Sequence, residues 1–165
     1  MKRTNGLIAI LVLLPAMVFA QLSIGPAINL KSPVLVGQEV NIDEVNVDQF
    51  SFGANARYRR GWFQAETLML FSAGKVDSLD LFLDLGVALD INILTFSLGM
   101  GPNFTNNFNE ARALQAGMNA KLGADFRLNR ITIGTSYIMA LDISENRIMV
   151  EKSSGLLGFH VLFEL

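Results

Sequence analysis

The chain has 165 residues, room for one domain, with 51% hydrophobic and only 17% charged residues and 13 basic against 15 acidic side chains. A mildly acidic balance with no basic block excludes a nucleic-acid partner. The absence of cysteine excludes disulfide stapling and a lipid anchor attached at a cleavage-site cysteine, so stability has to come from packing, backbone pairing or a membrane.

The N-terminus starts with Lys2 and Arg3, continues through the apolar run GLIAILVLLP and ends at Val18, Phe19 and Ala20. A charged start, a short apolar core and small residues at the cut read as a secretory signal peptide over 1–20, cleaved before Gln21. The apolar core falls short of the roughly 20 residues a membrane-spanning helix needs. Residues 21–165 are then the mature domain.

From there the period is two, the period of a strand. Leu22, Ile24, Pro26, Ile28 and Leu30 alternate with small or polar residues, and so do Phe50, Phe52, Ala54, Ala56 and Tyr58. The third segment, Phe63 to Phe71, is less regular because Leu68 and Leu70 interrupt its polar register. The fourth is nearly ideal: Leu79, Leu81, Leu83, Leu85, Val87 and Leu89 oppose Asp80, Phe82, Asp84, Gly86 and Ala88. A helix would smear these leucines around its circumference, whereas a strand collects them on one face. Segments starting at Leu94, Leu114, Ile131 and Leu157 complete a set of eight. Their lengths suit tilted strands of about 9–11 residues that cross a bilayer. The charges of the set fall in one register: Arg57, Arg59, Glu66, Asp80, Asp84, Lys121, Asp125, Arg127 and Glu164.

Eight such strands predict an all-β fold, an eight-stranded antiparallel up-and-down barrel. Side-chain volume selects its sense. The lumen of an eight-stranded barrel has room only for modest side chains. Enclosing the Leu, Ile, Met and Phe set would overfill it, and an outward apolar belt is tolerable only in lipid. Connections alternate short (60–61, 90–93, 129–130) and long (32–49, 73–78, 103–113, 142–154), the pattern of periplasmic turns and external loops. Outward aromatics gather at strand ends. Phe50, Phe52, Phe71 and Phe104 form an outer girdle, and Tyr58, Phe63, Phe96, Phe126 and Phe163 an inner one. A soluble lipocalin-like carrier, with the apolar face turned inward, is the rival architecture.

With its eight-segment alternation and C-terminal Phe159, Val161 and Phe163, the mature chain resembles the small OmpA-like and OmpX-like outer-membrane barrels, a porin-like group of Gram-negative bacteria. The family implies an outer-membrane location, a lipid partner and recognition by the barrel-insertion machinery. Members usually end on an aromatic residue, and this chain ends on Leu165.

The enclosed charges nearly cancel, which predicts a salt-bridged plug, with a gated ion or proton path through rearranging pairs as the alternative. Open porin activity does not fit eight strands. His160, the one histidine, is expected inside the lumen as a hydrogen-bonded residue. Outer-membrane barrel enzymes such as lipid A deacylases carry a His-x-Ser pair on one strand, whereas here the stretch reads His160, Val161, Leu162. Asp80 and Asp84 share a face at about 13 Å, too far to share a proton at roughly 3.3 Å per residue. No catalytic residue, cofactor or metal site is therefore expected. Val40, Ile42, Val45 and Val47, and likewise Ile148 and Val150, continue the alternation into the long loops. Two external hairpins offering an edge to a protein partner are one reading, and acidic surface loops the other. The function expected is structural or surface interaction, with a narrow pore or an accessory subunit of a transport complex as the alternative.

Overall fold

The alternation closes on itself. The computed structural model describes residues 21–31, 47–72, 78–108, 114–144 and 147–165, with the backbone alone at 48, 142–144 and 147–154. The strands are β1 (Gln21–Lys31), β2 (Phe50–Arg60), β3 (Phe63–Ser72), β4 (Ser78–Ile91), β5 (Leu94–Asn107), β6 (Leu114–Leu128), β7 (Ile131–Ser144) and β8 (Arg147–Glu164). Each pairs antiparallel with its sequence neighbour, and β8 returns to β1 through Ile24↔Phe163 and Ile28↔Phe159, which closes the barrel. No strand edge is left open around the wall, the device that lets a barrel satisfy its own backbone.

Three two-residue turns join strands at the end of the barrel where β1 begins and β8 ends. Each starts in the left-handed region, at Gly61 (φ 60°), Asn92 (φ 59°) and Asn129 (φ 55°), where glycine and asparagine are the tolerated residues. Two of these turns differ from the sequence expectation. They fall on Gly61 and Trp62 rather than 60–61, and on Asn92 and Ile93 rather than 90–93, because the left-handed residue has to come first.

At the opposite end two connections are shorter than the sequence expectation. β5 continues to Asn107, paired with both β4 and β6, so the expected loop 103–113 is shorter. The expected loop 142–154 is mostly a hairpin. Past a register shift between Met139 and Leu141, β7 and β8 pair again at Leu141↔Val150, Ile143↔Ile148 and Ser144↔Arg147. Backbone pairing needs no alternation of side chains, so β5 runs on through Asn106 and Asn107, where both faces are polar. Val47 also departs from its expected place, lying in a 3-10 turn (Val47–Gln49) ahead of β2. A four-residue alternation is too short to specify a strand without a partner opposite it. Val40, Ile42 and Val45 lie outside the described residues.

The faces divide by register. Outward residues such as Leu85 and Leu89 are 59% and 64% exposed, and Leu98, Met100, Ile133, Phe159 and Phe163 are also exposed. Arg60, at the turn end of β2, is the one charged residue in the outward register of the strands whose side chains are described. The inward face is not uniformly polar. Leu68, Leu70, Phe82, Ile138 and Ala27 form a buried apolar layer joined by Leu156. The two leucines that blurred the third segment are lumen residues, and they fill the barrel instead of facing out.

Candidate functional site

The lumen is layered, and the layers follow from which inward side chains each strand brings to a given height. Nearest the turn end, Arg59 pairs with Asp90 at 2.7 Å, and Thr95 donates to Asp90 at 2.6 Å. On the other side Arg127 pairs with Glu164 at 2.9 Å. Asp90 was read as part of a turn. It extends the inward register Asp80, Phe82, Asp84, Gly86, Ala88 by one step, a signal the sequence carried.

The middle layer is a buried ionic cluster. Arg57 donates from Nε to Glu66 Oε2 at 3.2 Å and from one terminal nitrogen to Asp125 Oδ2 at 2.6 Å. Its other terminal nitrogen stands 3.2 Å from His160 Nε2. Lys121 reaches across from β6 to Glu66, which also accepts from Asn55 and, at 3.0 Å, from Gln64. His160 Nε2 contacts Asp125 Oδ1 at 2.9 Å. The side chains of Arg57 and Glu66 are 7% and 1% exposed, so solvent screens this pair very little.

Neighbouring strands explain the cluster. Arg57 and Glu66 are direct cross-strand partners on β2 and β3. Glu66 also faces Asp84 on β4, a like-charged juxtaposition that Lys121 and the amides offset. Asp125, Gly134 and His160 lie in one row across β6, β7 and β8. A Cβ on Gly134 would stand 1.9 Å from Asp125 Oδ1 and 2.6 Å from His160 Nε2. The acid and the imidazole therefore meet over a bare backbone that no other residue could supply.

Of the nine charges expected to form one network, Arg57, Glu66, Lys121 and Asp125 are joined. Asp84 accepts from Asn119 at 2.6 Å and faces Glu66 in register, with no hydrogen bond to the cluster. Arg59, Arg127 and Glu164 form separate rim pairs, and Asp80 stands apart, accepting from Thr105 at 2.6 Å beyond the apolar layer. The structure adds His160, Asn55 and Gln64. Above the cluster the apolar layer crosses the lumen. Among the described residues, no group of three or more His, Cys, Asp or Glu could hold a metal ion. Among the described residues, His160 Nε2 lies within hydrogen-bond distance of Arg57 and Asp125.

The outward aromatic residues pair toward one or the other end of the barrel. Phe52 pairs with Phe71 and Phe104 with Leu81 toward the open end. Phe50 pairs with Leu30 at the same level. Tyr58, Phe63, Phe96, Phe126 and Phe163 lie toward the turn end. Trp62, at a turn tip and 71% exposed, joins the second group and was not anticipated.

A closed, antiparallel, up-and-down barrel of eight strands with an apolar outer wall is the fold of an outer-membrane β-barrel protein. Among solved structures the chain is similar to the outer membrane protein Ail of Yersinia pestis in a phospholipid bilayer nanodisc. The match has a TM-score of 0.51 at 15% identity over 88% of this chain and 98% of that one. No family model and no curated protein matches the chain.

Proposed function

We propose that this chain is a non-enzymatic integral protein of the Gram-negative outer membrane, with a closed lumen and a structural or surface-interaction role. Exported by a signal peptide over 1–20, it would present its two-residue turns to the periplasm and its long connections to the outside. The reading rests on one observation: the outward wall is a continuous belt of exposed large apolar residues, while the described charges of the strands, Arg60 at the rim apart, face inward. In water such a wall would aggregate, and in hydrocarbon it is the solvated face. The soluble-carrier alternative needs the large residues inside, where the lumen already holds an ionic cluster and an apolar layer. A structural role fits a lumen crossed by buried ion pairs and leucines. A pore would have to break both.

For the surface role the support is the extension of β7 and β8 as a hairpin through Ile143↔Ile148. Ile148 and Val150 lie on it, where an added strand could pair. Val40, Ile42 and Val45 stay candidates on the first long connection. The test of the membrane reading is fractionation combined with heat-modifiable gel mobility. Recovery in the outer membrane, with a boiled form of shifted mobility, is expected. A chain that stays monodisperse in plain buffer refutes it.

A further inference from the structure

The outer wall of the barrel is not evenly covered. Across β2 and β3 it carries a groove of about 460 Å³. The floor is made of small outward residues: Ala56 opposite Thr67 and, one row nearer the turns, Ala65 opposite Tyr58. Longer side chains form the banks, Leu22 beside Tyr58 on β1, and Leu83 and Leu85 beside Thr67 and Ala65 on β4. Leu22, Leu83, Leu85 and Thr67 are exposed and Ala56, Tyr58 and Ala65 half-buried, so all of them reach the groove surface. Alanine and threonine project less from a strand than leucine does, and small residues between leucine banks leave a furrow.

One row beyond Tyr58 and Ala65 stands Arg60, in register with Phe63. That row is about 7 Å nearer the turns, at roughly 3.3 Å per residue. Arg60 is exposed, and its side chain has no ion pair or hydrogen bond among the described residues. No carboxylate shares the outward register of the strands whose side chains are described. A guanidinium is always charged and carries five donors, so at the edge of an apolar belt it takes an anionic oxygen from outside the chain. Tyr58 and Trp62 flank Arg60 in sequence, and amphipathic aromatics of this kind sit at headgroup level. The hydroxyl of Tyr58, in the row between Arg60 and Ala56, has no partner among the described residues and is a donor for an ester oxygen.

We propose that the β2–β3 groove is a binding site for one anionic glycerophospholipid of the leaflet at the turn end. Its phosphate lies against Arg60, its ester region beside Tyr58, and an acyl chain on Ala56, Ala65 and Thr67 between the leucine banks. A net anionic headgroup is the match, because the ammonium of a zwitterionic one competes with Arg60 for the phosphate. A second copy of the chain fits less well. A twofold contact sets furrow against furrow and brings two unpaired Arg60 side chains to one height. The inference rests on the membrane reading and adds to it one lipid class at one place on the wall.

The test is native mass spectrometry of the refolded chain in non-ionic detergent, titrated with phosphatidylglycerol or with phosphatidylcholine of the same acyl chains. A saturable one-to-one adduct is expected. It should be about fivefold tighter for phosphatidylglycerol, the effect of one basic residue at an anionic headgroup. Arg60→Gln should remove that preference and leave phosphatidylcholine binding unchanged. Ala56→Phe and, separately, Ala65→Leu fill the furrow and should weaken both lipids about tenfold, the burial of roughly two methylenes. Ile133→Phe, exposed on the β7 wall, should change neither. Heat-modifiable mobility verifies that each variant is folded. Equal affinity for the two lipids, a preference that survives Arg60→Gln, full binding with the furrow filled, or a dimer in place of the adduct overturns the assignment. Each of these leaves the membrane reading standing, which fails only if the chain does not insert, a result the mobility assay reads by itself.

Discussion

Replacing Arg57 by methionine tests whether the buried cluster holds the barrel together. The stem of methionine fills much of the same volume, so packing changes little while one cation is lost from between two carboxylates. Arg57 contacts Glu66, Asp125 and His160. Without it Glu66 keeps Lys121, Asn55 and Gln64, but Asp125 is left with His160 alone. Breaking a buried ion pair from one side costs about 3–5 kcal/mol, because the partner charge stays desolvated and unpaired. That is at least a hundredfold in the folded-to-unfolded ratio at about 1.4 kcal/mol per tenfold. Arg59→Met is the control. Its partner Asp90 has a side chain 49% exposed, and a screened pair of that kind is worth about 0–1 kcal/mol. Urea unfolding of the refolded barrel in lipid vesicles, followed by heat-modifiable mobility, reads both. Losses of similar size, or a loss at Arg57 below about 1 kcal/mol, would refute the claim that the middle layer carries the stability.

Three further outcomes follow from the same geometry. Gly134→Ala puts a methyl 1.9 Å from Asp125 Oδ1 and should cost about 1–3 kcal/mol by overpacking in the same unfolding assay; a neutral result would mean that Asp125 and His160 do not meet over that backbone. Leu85→Arg on the outer wall should cost about 2–4 kcal/mol when folding is measured in bilayers, the depth-dependent penalty of a charge in hydrocarbon, and an unchanged stability would argue against lipid on that face. Planar-bilayer recordings of the refolded chain should show a closed lumen with little conductance; stable, large unitary currents would favour the transport reading.

The sequence determined the number of strands, their polarity and the face each side chain takes. Leu79 to Leu89 on β4 could only be a one-sided strand, and lumen volume decided which side faced out. The β6–β7 turn at Asn129 was short enough to bring Asp125 opposite Gly134 from the sequence alone. His160 could not be placed in that row, because the long β7–β8 connection leaves register undetermined until the strands pair. Lys121 reaching Glu66 from β6 to β3 was hidden for a related reason. The two residues are three strands apart, and they meet only because the sheet curls shut.

What the sequence settled by itself is local: alternation, turn chemistry and the separation of apolar from ionic residues depend on near neighbours along the chain. What the tertiary structure decided is everything that crosses the lumen. Closure sets which inward side chains share a height. It turned a list of nine charges into one cluster, two rim pairs that recruit Asp90, and Asp80 and Asp84 outside both. It also stacked Leu68, Leu70 and Phe82 into a layer that no single strand could reveal, since a layer exists only where side chains from several strands converge.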